Sequence, residues 1–152
     1  MLEALEFNVL YSKLEAKKAE SKEKKFRMFV EHKNFKAACC LEQPIYSRQF
    51  PLGNSIYDTP VKCDFILHHP LKYPTCLVIE SKWQESSGST DEKYPYLVLN
   101  VKEKLGYPTI IVVDGGGYKP GAEKWLRSQV GGRLLYVFNM MEFQKWSNSE
   151  EL

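Results

Sequence analysis

Apolar and polar positions are most sharply patterned between Val61 and Gln84, in VKCDFILHHPLKYPTCLVIESKWQ. Two runs of strand formers, 61–67 and 75–84, flank a connection containing proline and histidine, which predicts a hairpin. With the turn centred near Lys72, residues whose numbers sum to about 144 face each other across the pair. That register sets Asp64 opposite Glu80. The two-residue period of a strand then puts Glu80, Lys82 and Gln84 on one face.

Before the hairpin, apolar residues at Leu2, Leu5, Val9, Leu10 and Leu14 predict a helix over 3–18. A charged passage, AKKAESKEKK, leads to a second helix predicted over 21–33, with Phe26, Phe29 and Val30 to one side and Ser21 as N-cap. The stretch 35–50 reads as a strand or two interrupted at Pro44, in which Cys39 and Cys40 are small buried apolar residues. PLGNSIYDTP reads as a loop leading into the strand of Asp64.

After Gln84, Ser89 and Glu92 fit a capping box that starts a helix near Thr90. Pro95 sits in its first turn, Leu97, Val98, Val101 and Leu105 form its apolar face, and Gly106 ends it. The continuous apolar run 108–114 predicts a strand buried on both faces. DGGGYKPG is a tight connection; it matches neither G-x-G-x-x-G nor the P-loop. A helix over 121–130, a strand over 133–138 and a short helix near 141–146 complete the chain, with a frayed polar end. The order α, β, β, β, α, β, α, β predicts an α/β fold with a mixed sheet flanked by helices, in one domain spanning 1–152.

The composition fits an ordinary globular protein, with 43% hydrophobic and 26% charged residues among 152. No apolar run approaches the roughly 18 residues a membrane span needs, and the N-terminal stretch does not read as a signal peptide, so the cytoplasm is the expected compartment. The formal net charge of +2 is far from that of an overtly basic nucleic-acid binder, though a basic cleft on a neutral body is compatible with it. Four cysteines and three histidines show no zinc-ligand spacing; His68 and His69 read as turn residues, with transition-metal binding the less favoured alternative.

The chemistry centres on Asp64, Glu80 and Lys82. Two carboxylates and an ammonium beside Phe65, Ile66, Leu77, Val78 and Ile79 must be paired or bind a metal. Hard divalent cations take carboxylate oxygen, and Mg²⁺ needs only one or two such ligands plus water and phosphate oxygens. Asp64 followed by Glu80-Ser81-Lys82 resembles the signature of the PD-(D/E)XK nuclease superfamily, although Cys63 stands where that signature has proline. The resemblance implies the restriction-endonuclease-like fold and Mg²⁺, or Mn²⁺ in its place, held by Asp64, Glu80 and the Ser81 carbonyl. Lys82 would assist attack by water, and Gln84 would hydrogen-bond that water or the backbone.

It further implies an additional acid from the second helix, with Glu23 and Glu31 the candidates. The expected partner is double-stranded DNA cut by a homodimer or higher homo-oligomer, as in restriction or mobile-intron endonucleases, with repair and junction-resolving nucleases on the same core. Arg48, Gln49 and Asn54 are residue types that read base edges, while Lys93 and Lys119 are candidate phosphate contacts near helix starts. Two other readings remain open: an inactive DNA-binding or structural protein, and a small-molecule enzyme using the glycines at 115–117.

Overall fold

The computed structural model describes residues 28–84 and 91–149. The predicted helix over 3–18, Glu23 and the capping box at Ser89 lie outside the described residues. The remaining chain builds a six-stranded mixed sheet and a separate two-stranded one. The strands are β1 (Met28–Phe29), β2 (Ile45–Arg48), β3 (Pro51–Asn54), β4 (Pro60–Lys62), β5 (Phe65–His69), β6 (Tyr73–Trp83), β7 (Thr109–Asp114) and β8 (Leu134–Phe138). The helices are α1 (Phe35–Ala38), α2 (Tyr94–Leu99), α3 (Pro120–Ser128) and α4 (Met140–Ser149).

The large sheet runs β1-β2-β5-β6-β7-β8. The β2–β5 and β5–β6 pairs are antiparallel, whereas β1–β2, β6–β7 and β7–β8 are parallel. Between β6 and β8 strands alternate with helices, because a parallel neighbour can be reached only by a crossover.

The hairpin register agrees with the sequence expectation. Phe65 faces Ile79, Ile66 faces Val78 and Leu67 faces Leu77. One sheet face therefore carries Ile66, Val78 and Glu80, and the other carries Phe65, Leu67, Leu77 and Ile79. On the first face, Ile66 and Val78 pack with Phe35 and Ala38 of α1, Ile45 and Cys63. Further along it, Ile111 and Val113 pack against Tyr94 and Val98 of α2 and Leu126 of α3. On the second face, Ile79, Ile110 and Val112 lie under Phe143 and Trp146 of α4. The apolar run of β7 is thus covered on both sides, as its composition requires.

Helix ends follow local chemistry. Pro120 opens α3, where a missing N–H matters little. Ahead of α4, the Glu142 amide donates to Asn139 Oδ1 at 2.8 Å and the Asn139 amide donates to Glu142 Oε1 at 3.2 Å, a reciprocal cap. Arg127 joins the two helices by donating to Glu123 and Glu142 at 2.7–3.1 Å.

Three expectations are corrected. Residues 28–33 do not continue a helix: Met28–Phe29 is a strand parallel to β2, with the Val30 amide donating to the Tyr46 carbonyl at 2.9 Å. The stretch read as strand around Cys39 and Cys40 is helical, with α1 flanked by 3-10 turns at His32–Asn34 and Cys39–Leu41. Phe35 and Ala38, three apart, are its buried stripe, and Cys40 is exposed. PLGNSIYDTP is a small hairpin of β3 and β4, anchored where the Ile56 amide donates to Asn100 Oδ1 at 2.8 Å.

Candidate active site

Asp64 stands at the break between β4 and β5, just before the first paired residue of the hairpin. Its position is fixed twice by backbone groups. Its carbonyl accepts from the Gln49 amide at 3.3 Å, and its Oδ2 accepts from the Ser81 amide at 2.8 Å. The side chain therefore reaches across to β6 beside Glu80, as the alternation of the strands requires.

Glu80 is 7% exposed, while Lys82 is half-buried two residues further along the same face. Burial, and then the adjacent Asp64 carboxylate, push the Glu80 carboxyl up to about 8; Lys82 opposes this shift. A side-chain hydrogen bond also joins Glu80 to Asp64. Without a cation, Glu80 therefore holds its proton more tightly than an ordinary glutamate, since a second negative charge in such surroundings is costly. A divalent cation would supply the missing positive charge. This donor set, hard oxygen from Asp64, Glu80 and the Ser81 carbonyl, suits Mg²⁺ or Mn²⁺.

Gln84, on the same face again, is buried at the end of β6. Its Nε2 donates to the Gly117 carbonyl at 3.2 Å, and its Oε1 has no partner among the described residues. Its backbone is gripped as well: its amide donates to the Asp114 carbonyl at 3.0 Å, and its carbonyl accepts from the Gly117 amide at 2.6 Å. Gly115 makes this grip possible. It has a φ of +100°, and a Cβ there would lie 2.4 Å from the Gln84 carbonyl oxygen. The glycines at 115–117 thus buttress the strand of Glu80 and Lys82, matching the tight connection expected from DGGGYKPG.

The other predicted residues divide into two groups. Lys119 is exposed immediately before α3, and its amide donates to Asp91 Oδ2 at 3.3 Å. Lys93 is exposed at the end of the 3-10 turn Asp91–Lys93 that leads into α2. Both stand at helix starts that follow the β6 and β7 ends, on the side where Gln84 lies. Arg48 and Asn54 are not brought to the acids. Arg48 pairs with Phe65, its guanidinium 5.6 Å from that ring's centroid, on the opposite sheet face. Asn54 is exposed at the tip of β3, in the small sheet. Gln49 is exposed, at a φ of +53°, directly behind Asp64. Glu31 is exposed between β1 and the first 3-10 turn, not on a helix.

One buried acid escaped the sequence reading. Asp91 is 6% exposed, with its Oδ1 unpartnered among the described residues; burial, and then the Asp91 carboxylate, push the Tyr94 phenol up. No motif marks it, because its partner is the backbone of Lys119, 28 residues away.

Comparison with known proteins agrees with this geometry. The model of the PD-(D/E)XK nuclease superfamily domain matches residues 12–151. The chain belongs to that superfamily, and its mixed sheet with flanking helices is a restriction-endonuclease-like fold. No curated protein and no solved structure matches it significantly. Among the described residues, no helix is long and apolar enough to cross a membrane.

Proposed function

We propose that the chain is a Mg²⁺-dependent endonuclease that hydrolyses phosphodiester bonds of double-stranded DNA. The observation that carries this reading is the face-to-face pair Asp64–Glu80 with Lys82 beside it, in a superfamily whose members are generally nucleases. Asp64, Glu80 and the Ser81 carbonyl would hold the ion. Once bound, that ion polarises phosphate and lowers the pKa of coordinated water.

The chain's own groups do the rest. The Ser81 amide holds the Asp64 carboxylate in place. The Lys82 ammonium is positioned to orient water and to offset charge developing on phosphate. Gln84, with Oε1 unpartnered among the described residues and Nε2 fixed on Gly117, can accept a hydrogen bond from water or hold the strand end still. Lys93 and Lys119 supply cations beside helix starts for the DNA backbone. Gln49, behind Asp64, remains the candidate for base contact nearest the acids, with Arg48 on the other sheet face and Asn54 in the small sheet as candidates away from them.

A homodimer, with two such clusters on one duplex, would let a short chain cut both strands. A restriction-type or mobile-element enzyme fits this arrangement. The test is incubation of purified protein with supercoiled plasmid and Mg²⁺, then sequencing of the cut ends. Metal-dependent nicking or linearisation supports the reading. An intact plasmid with both Mg²⁺ and Mn²⁺, under conditions where DNA is bound, favours an inactive DNA-binding protein.

A further inference from the structure

We propose that Cys39, His68 and Cys76 form a separate site for a thiophilic metal ion of the Zn²⁺ class, at the far end of the sheet face that carries the acids. The sequence spacing gave no sign of this; the fold assembles it. Cys39 opens the 3-10 turn after α1, His68 lies in β5 and Cys76 in β6. Their donor atoms all lie within 4.8 Å of one another. Tetrahedral Zn²⁺ takes sulfur at about 2.3 Å and nitrogen at about 2.0–2.1 Å, which places ligands roughly 3.5–3.8 Å apart. Small side-chain rotations therefore close the set, leaving one position for water or a further donor.

Two independent observations point to a ligand. His68 is 6% exposed, yet its Nδ1 has no partner among the described residues. A buried imidazole nitrogen is normally satisfied, and a metal bond would satisfy it here. Cys76, meanwhile, has a φ of +76°, a left-handed conformation rare outside glycine. It falls where the β5–β6 register slips, between the Leu67–Leu77 and His69–Tyr73 pairs. A bulge of this kind re-aims a side chain, and this one holds Cys76 beside Cys39 and His68.

The two sulfurs already interact. A hydrogen bond joins the Cys39 and Cys76 thiols. A disulfide would use the sulfurs and leave His68 unexplained. A thiophilic cation uses all three donors, and Mg²⁺ competes poorly for such ligands. On binding, two S–H bonds break, two sulfur–metal bonds form and two protons pass to solvent. The neutral imidazole donates a lone pair, and no electron changes hands.

Full-length protein, reduced and stripped with a chelator, is titrated with Co²⁺ as a spectroscopic substitute and then with Zn²⁺. We expect one Co²⁺ per chain with thiolate-to-metal charge-transfer absorption, displaced by Zn²⁺ and unmoved by a large excess of Mg²⁺. Cys39→Ser, Cys76→Ser or His68→Ala should weaken binding at least about a hundredfold, since losing even an outer-shell partner costs ten- to hundredfold. Cys40→Ser should bind normally. Should a variant fail to fold, alkylation of the wild type followed by mass spectrometry decides the question. Zn²⁺ should slow modification of Cys39 and Cys76 but not of exposed Cys40. Absence of the charge-transfer absorption, or equal alkylation with and without Zn²⁺, would each overturn the proposal.

Discussion

The two ends of one hairpin face carry opposite chemistries. At one end Asp64 and Glu80 offer hard carboxylate oxygen; at the other Cys39, His68 and Cys76 offer sulfur and nitrogen. Asp64 immediately precedes β5 and His68 lies four residues further on, so roughly 13 Å separates the clusters along the chain. Regular pairing builds the first end, since the residues meet because the register is unbroken from Phe65 to Leu67. The second end exists because that register fails between Leu67 and His69. A straight ladder thus converges acids, and a bulge converges thiols, on the same sheet.

The sharpest way to break this comparison is to remove an oxygen ligand. Asp64→Ala or Glu80→Ala should reduce Mg²⁺-dependent plasmid cutting to background while a thermal melt shows the fold retained. Normal cutting by either variant would discard the site.

Lys82→Ala should lower single-turnover cleavage at least about a hundredfold. Its DNA affinity should stay within about tenfold, or about 1.4 kcal/mol. Lys93→Ala and Lys119→Ala should show the reverse pattern: weaker binding, a shallower salt dependence and near-normal cutting at saturation. Binding by anisotropy across a salt series, beside quenched-flow cleavage, separates the two classes.

Glu80 provides a smaller effect, visible without DNA. Its carboxyl rises from an ordinary 4.5 to about 8 on folding, so the folded chain binds the proton more tightly than the unfolded one. The stability gained is complete below about pH 4.5 and is lost progressively as pH rises towards 8. At about 1.4 kcal/mol per unit, a few kcal/mol at most are involved. Metal-free protein should melt lower at pH 8 than at pH 5; Glu80→Gln should flatten the difference attributable to this group, and Mg²⁺ should restore stability at the higher pH. An identical pH profile in wild type and Glu80→Gln would show that Glu80 ionises normally.

The acid end was legible in the sequence because alternation over two long strands fixes the register, and register fixes which side chains meet. The run of β7 was equally plain, since four consecutive apolar residues, Ile110 to Val113, buried on both faces leave little choice. What failed was short or long-range. A two-residue strand such as Met28–Phe29 has no period to detect, and its charged surroundings favour a helix reading. Phe35 and Ala38 did carry a helical spacing, but two adjacent cysteines suggested a strand. That error hid the thiol cluster, because Cys39 reaches His68 and Cys76 only when residues 32–41 coil over the sheet. Arg48 shows the limit of residue-type reasoning: its chemistry suits a base, yet pairing with Phe65 turns it to the other face.

The contact between Gly115 and the Gln84 carbonyl has a genetic consequence. Every amino-acid replacement reachable by one base change in a glycine codon installs a Cβ, and here that atom would fall 2.4 Å from backbone oxygen. On the proposed endonuclease reading, a host in which the active chain is overproduced and cuts the chromosome selects for its inactivation during growth. Surviving clones should therefore carry missense changes at codon 115 as readily as at codons 64, 80 and 82, although Gly115 bears no functional group at all.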